Sequence, residues 1–308
     1  MYKFLFIIVS IIMYQSNSSY SQSNQQRIFL AGWEAEFNGD QQSLQFLQTQ
    51  VVEEQTAKKL WSAIELIFEK GKLVKAYDWE DGERAERTLK ASELGFPFQK
   101  ITPHSIYALK EAPVSDSYLG GEKPVNFNIP KFDFIAPFQY LGKLSKKQKA
   151  FEWLPFDLHL AAPIYLNIEK IFIDYSDPLN PKVLNEKDLQ ETDNSYDDLK
   201  SDSEIVFEKV YINTQKVNTI DVGIGHTGVP NWIQYPEIPS CPKSGKTMRF
   251  LLQLTLDGLD IPTKKTNVHP EKEWYKQYFD HMNFWGDGNL FIFFEPESKV
   301  ACFMIQNT

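Results

Sequence analysis

Apolar and polar positions alternate with a period of two over Phe29, Ala31, Trp33, Ala35 and Phe37. That spacing sends every second side chain to one face of a half-buried strand. Ile64 to Phe68 and Leu73 to Tyr77 flank Glu69-Lys70-Gly71-Lys72, which reads as a hairpin with glycine in its turn. Between these strands, Glu53 to Ala63 predicts a short helix, and Trp79-Glu80-Asp81-Gly82 a further turn. Together they predict a β-rich segment over 22–111.

From Ala112 onward, proline and glycine become more frequent and short apolar runs recur. Phe132 to Leu141 and Pro163 to Tyr175 read as strands, the second long and rich in β-branched residues. Glu186 to Glu204 then holds eight acids against two lysines with few large apolar residues, the pattern of a solvated linker. It lacks the ordered Asp spacing and fixed Gly of a calcium-binding loop. Beyond it, strands are expected at Ile205 to Ile212, Arg249 to Leu256, Leu290 to Phe294 and Val300 to Ile305, with a helix at Glu271 to Met282. The fold class this predicts is α+β with strands dominant. One domain over 112–308, its halves at about 112–185 and 205–308, follows from the acidic break.

The N-terminus has a different pattern. Lys3 precedes an eleven-residue apolar run from Phe4 to Tyr14, followed by a tract rich in Ser, Gln and Asn. A bilayer-spanning helix needs roughly 20 apolar residues, so the run fits the core of a signal peptide. Ser19-Tyr20-Ser21 suits cleavage before Gln22, with Ser16-Asn17-Ser18 as the alternative. The expectation is a leader over 1–21 and a soluble mature protein, periplasmic or extracellular, with no membrane insertion. No Cys lies in or just after the leader as a lipid attachment point.

Charge narrows the partners. The chain carries net charge −9 and no basic stripe, which argues against nucleic acid and against docking on anionic lipid. Aromatic residues make up 14%. Two readings stay open: a β-rich core, or an aromatic platform for a sugar.

Several motifs tempt and fail. Gly223-Ile224-Gly225-His226-Thr227-Gly228 matches a dinucleotide fingerprint, but Pro230, Pro236, Pro239 and Pro242 prevent the helix that motif requires. Ser244-Gly245-Lys246-Thr247 resembles the end of a phosphate loop, yet position 240 is Ser and a strand follows. The five histidines are scattered, without metal-ligand spacing, and no G-x-S-x-G elbow exists. A site assembled from distant residues stays open, with Asp287 and His226 as its candidates. No metal or cofactor is implied. Cys241 and Cys302 are the only cysteines; in an oxidising compartment they can pair, or remain as buried or separate thiols.

Gly225 to Gln234 (GHTGVPNWIQ), Cys241-Pro242-Lys243-Ser244-Gly245-Lys246, Phe250-Leu251-Leu252-Gln253-Leu254, Phe284-Trp285-Gly286-Asp287-Gly288 and Ile305-Gln306 follow one another in order. That succession resembles the YwqG-like family: a Gly-x-Pro-x-Trp-Ile-Gln element, a Cys-Pro-x-Cys-Gly-Lys knuckle, a Phe-Leu-Leu-Gln strand and a Trp-Gly-Asp turn. Tyr118 to Pro124 and Phe134 to Leu141 loosely resemble its first half. The strand glutamines fit backbone-bonding roles as well as ligand roles. Where relatives pair cysteines, this chain has Ser244 beside Cys241, and Glu295 with Ser298. Serine is a poor zinc ligand, so no metal is expected there.

The resemblance implies a fold of two similar α+β halves, and a wider kinship with the programmed cell death protein 2 group, which binds client proteins. The expected function is therefore a non-enzymatic protein-binding module whose partner is another protein of the cell envelope. The alternatives are a carbohydrate or surface-polymer binder and a hydrolase with a dispersed site. The residues expected at a ligand face are Trp232, Gln234, Trp285 and Asp287.

Overall fold

The computed structural model describes residues 25–31, 34–38, 41–45, 50–60, 62–69, 72–80, 83–89, 105–130, 137–165, 169–189, 199, 202–217, 223–228, 230–234, 238–270 and 276–307. The predicted leader, 1–21, lies outside them.

The N-terminal strands are β1 (Gln25–Ala31), β2 (Glu34–Asn38), β3 (Gln41–Gln45), β4 (Gln50–Val52), β5 (Ser62–Glu69), β6 (Lys72–Glu80) and β7 (Glu83–Leu89), with the helical turn α1 (Glu54–Ala57) before β5. Five of them form an antiparallel sheet in the order β4-β1-β5-β6-β7. The alternating run is two strands, not one: β1 pairs with β5, whereas β2 pairs with β3. The hairpin read around Gly71 is present, with Glu69 opposite Lys72.

The predicted helix at Glu53 to Ala63 stops at Ala57. The pairing of Ala63 with Trp79 claims the rest of the segment for the sheet, and Ala57, Leu60 and Ala63 then bury against Phe29 and Trp79. Sheet pairing outweighs the modest helix propensity of so short a stretch. On the same sheet, the buried carboxylate of Glu65 accepts hydrogen bonds from Trp79 Nε1 (3.0 Å) and from Arg84 Nε and Nη2 (2.8 and 2.9 Å). Arg27 is its second cation. Burial alone would raise the pKa of this carboxyl, but the arginines and the indole hold it below the ordinary glutamate range.

The rest of the chain supplies β8 (Ile106–Glu111), β9 (Ser117–Leu119), β10 (Gln139–Leu144), β11 (Leu158–Ala162), β12 (Ile171–Asp174), β13 (Lys182–Val183), β14 (Ile205–Phe207), β15 (Val210–Val217), β16 (Gly225–Thr227), β17 (Arg249–Leu254), β18 (Thr263–Thr266), β19 (Asn289–Glu295) and β20 (Val300–Gln306). Eleven of these form one antiparallel sheet in the order β11-β10-β9-β15-β8-β16-β17-β19-β20-β12-β13. β14 and β18 pair separately. The fold is strand-dominated, as the sequence pattern predicts.

The strand order corrects the expected division of the chain. β8, read as the end of the N-terminal segment, lies in the middle of the large sheet between β15 and β16. Strands from 112–185 stand at both ends of that sheet, with strands from 205–308 between them. The two expected halves therefore share one sheet, and β12 completes the edge of β20. The acidic stretch begins as the helical turn α2 (Glu186–Leu189), and Leu199 near its end is buried in the main core; 190–198 lie outside the described residues.

Other boundaries shift for local reasons. Pro163 has no N–H to give a ladder, so β11 ends before it and β12 starts only at Ile171. The run from Ile205 to Ile212 is two strands, because β14 pairs with β18 and β15 pairs with β8. Between them Glu208 presses against Gly120, whose φ is 64°; a Cβ there would lie 2.0 Å from the Glu208 carbonyl oxygen. Only glycine fits that approach. Of the expected strand at Phe132 to Leu141, β10 covers only the end, and 131–136 lie outside the described residues. Of the helix expected at Glu271 to Met282, a 3-10 turn at Gln277–Phe279 is present, and 271–275 lie outside the described residues.

β17, β19 and β20 read RFLLQL, NLFIFFE and VACFMIQ. Such near-continuous apolar runs suit strands covered on both faces. One face carries Leu252, Leu254, Leu290, Ile292, Phe294, Phe303 and Ile305 into the main core. The other carries Phe250, Phe291, Phe293, Cys302 and Met304 into a second cluster with Trp232, Ile238, Cys241 and Met248. Eight phenylalanines, two tyrosines and Trp232 are the largest fully buried side chains. Much of the aromatic content thus serves the core. Among the described residues no helix is long and apolar enough to cross a membrane.

Candidate functional site

The four residues expected at a ligand face are divided between the two faces of the large sheet. Trp232 is only 1% exposed. Its ring stacks on Phe291 and Phe293, with centroids at 5.1 and 5.9 Å. Trp285 packs against the opposite, main core. Gln234 is exposed and spends its side-chain amide on the Asn307 carbonyl (3.0 Å) and side chain (3.2 Å). Asp287 is exposed in the turn after Trp285.

That turn is built from within. Asn283 donates to the carbonyls of Tyr278 and His281 (2.7 and 3.1 Å) and accepts from the Gly286 amide (3.1 Å). Trp285 holds a positive φ of 54°. These are the bonds of a loop fixed in shape.

The family-like glutamines are clamps. Gln253, fully buried, accepts from the Asn231 amide (2.8 Å) and donates to the Asn231 carbonyl (3.1 Å). Gln306 accepts from the amides of Ile233 and Gln234 (3.1 and 3.3 Å). Gln139 accepts from the Ile205 amide (2.8 Å) and donates to the Pro137 carbonyl (3.1 Å). Each satisfies backbone groups that burial would otherwise leave unpaired. Gln253 and Gln306 together press 231–234 onto the sheet and set Trp232 over Phe291.

Cys241 and Cys302 are free thiols, both buried in the second cluster. The disulfide allowed by the sequence is not formed; the two thiols pack there as small apolar groups. The knuckle is closed without a metal ligand set. The Gly245 amide donates to the Cys241 carbonyl (2.8 Å), and Lys246 pairs with Glu297 (2.5 Å). Glu295 accepts from the amides of Glu297 and Ser298 (3.2 and 2.6 Å). Among the described residues no group of three His, Cys, Asp or Glu side chains converges as metal ligands would.

His226 is 1% exposed on β16, and neither ring nitrogen has a hydrogen-bond partner among the described residues. Burial pushes its pKa down to about 4, so the ring is neutral at physiological pH. No contact joins it to Asp287 among the described residues. The two separate candidates for a dispersed hydrolase site are not brought together.

A different place has the form of a site. On the main-core face, the 3-10 turn at Lys149–Phe151 and the following Trp153 cover the ends of β8, β16 and β17. They bound an open cleft of about 270 Å³ lined by Ser105, Tyr107, Thr227, Arg249, Glu152 and Trp153, among others. The roof is tied down. Ser145 and the Lys146 amide bond Asp157 (3.1 and 3.0 Å), and Gln148 donates to the Ile212 carbonyl (2.8 Å). The Trp153 indole donates to the Ala150 carbonyl (3.1 Å).

Inside, the Arg249 guanidinium lies 4.1 Å from the centre of the Trp153 ring, a cation–π arrangement. Half-buried, it has no ion pair among the described residues, and burial lowers its pKa from the ordinary arginine value. It still carries its charge. Glu152, on the rim, is already paired with Lys149 (2.5 Å). The cavity was not legible in the sequence: Arg249 reads there as the polar start of an apolar strand, and Trp153 belongs to a segment distant in the chain.

No family model, curated protein or solved structure matches this chain.

Proposed function

We propose that this protein is an exported, non-catalytic binding module that holds a segment of a partner protein in the cleft beneath Trp153. Arg249 carries this reading. A half-buried cation without a carboxylate partner among the described residues, in a chain of net charge −9, keeps its donors available for something outside the chain. The ties under the roof favour a preformed pocket, which lowers the entropic cost of binding. The sequence resemblance to the YwqG-like family, whose wider relatives bind client proteins, supports a protein as the occupant. The leader-like residues 1–21 support an envelope or extracellular partner.

The glycan alternative has less support. The aromatic side chains are spent largely on the core, and the half-buried Tyr118 and Tyr211 meet edge to face with Lys209 laid over the Tyr118 ring at 3.9 Å. Their rings offer no flat, open platform.

The test is site-specific photo-cross-linking in cells that make the protein. A photo-reactive residue replacing Glu152, on the cleft rim, is expected to capture one dominant protein. The same residue replacing Val125, which is 99% exposed and outside the cleft, should capture none above background. Equal yields from the two positions would sink the proposal.

A further inference from the structure

The cavity lining is rich in donors, and its cation Arg249 faces no carboxylate partner among the described residues. Arg249 offers five N–H donors and no acceptor. The Ser105 and Thr227 hydroxyls line the same space, as does the Tyr107 ring, and none of these three side chains has a hydrogen-bond partner among the described residues. Thr227 is 4% exposed. Register places Tyr107 directly opposite Thr227, so both side chains leave the sheet on one face. Among the described residues the only acid on the lining is Glu152, and its carboxylate is engaged by Lys149.

Resting on the binding-module reading, we propose that the cleft recognises a carboxylate of an acidic peptide segment, taken by the Arg249 fork against Trp153 with the Thr227 and Ser105 hydroxyls as further donors. Three features define that ligand. The planar guanidinium matches a carboxylate through two parallel N–H bonds. The indole beneath it fixes the plane of that fork, as Arg stacked on an aromatic ring loses less freedom on binding than Lys would. The volume, about 270 Å³, holds one side chain and its neighbours, not a folded domain. Lys149 stands at the rim, so a second acid next to the first finds a cation if it displaces Glu152.

Calorimetry on the full chain with three probes tests this: an acetylated, amidated tri-glutamate peptide, its tri-glutamine counterpart, and inorganic phosphate. The glutamate peptide is expected to bind at least about tenfold tighter than the glutamine one, as charge-assisted bonds exceed neutral ones. Arg249→Met should weaken it by at least about thirtyfold, and Arg249→Lys should recover only part, because charge without the planar fork is not enough. Glu152→Gln should tighten it by about threefold by removing a like charge at the rim. Phosphate competing as strongly as the glutamate peptide would overturn the carboxylate assignment, and so would equal binding of the two peptides. Cross-linking from Glu152 with no preference for the acidic peptide would overturn this inference alone; silence in both experiments would remove the binding-module reading with it.

Discussion

Trp232→Ala is expected to cost about 3 to 5 kcal/mol, the range for truncating a large aromatic side chain in a packed core. The ring is 1% exposed and stacks on both Phe291 and Phe293. Removing it leaves those rings, Phe250 and Met304 around a void that 231–234 cannot fill, since Gln253 and Gln306 hold that segment in place. Trp232→Phe should cost much less, about 1.5 kcal/mol or under. It keeps the stacking and deletes an indole N–H that is buried without a partner among the described residues. Urea unfolding of the three proteins reads both values. A cost below about 1 kcal/mol for the alanine variant would return Trp232 to the list of surface residues.

Acid should cost the protein about 3 kcal/mol between pH 6.5 and pH 4, and His226 should account for most of that loss. Its folded pKa of about 4 lies below the unfolded value of 6.5. Above pH 6.5 the ring is neutral in both states and nothing is lost. As pH falls through 6.5 the unfolded chain binds a proton that the buried ring cannot, and stability declines until about pH 4, where the folded ring also titrates. His159 is shifted downward too, by burial and then by Lys143, and adds loss in the same direction. Glu65 acts in the same direction at lower pH: its folded pKa is depressed, so its contribution is intact above the ordinary glutamate value and is lost as pH falls below it. His226→Leu should therefore flatten most of the slope between pH 6.5 and 4 while leaving the steeper loss at lower pH. An unchanged slope in that variant would contradict the burial assigned to His226.

The strands of the second half could be read from the chain because they leave little choice. Leu290 to Phe294 and Val300 to Ile305 are almost wholly apolar, and only a strand buried on both faces accommodates them at that length. The structural use of the glutamines was also legible, as an amide in a buried strand must find backbone partners. The position of Trp232 was not. Between Pro230 and Gln234 it has the surroundings of an exposed turn, and its burial is decided by Gln253 and Gln306, residues on other strands. The place of β8 was not legible either: Ile106 to Glu111 reads IYALKE, with no regular apolar–polar alternation, and nothing local says that its neighbours are β15 and β16. Pro163 is the reverse case, a boundary written in the sequence: it ends β11, and the β-branched run beyond it becomes a strand only from Ile171. The cleft needs all of this at once, since Arg249, Thr227, Tyr107 and Trp153 meet only after the strands from both expected halves have joined one sheet.

The central claim is that Arg249 is kept for a partner and not for the fold. Its most direct test compares Arg249→Met with the unaltered protein in two readouts, thermal or urea stability and photo-cross-linking from position 152. Replacing a half-buried cation that has no ion pair among the described residues with an apolar side chain should leave stability within about 1 kcal/mol of the original, or raise it, while the cross-linked partner disappears. An Arg249→Met protein that folds normally and still captures its partner would contradict the account.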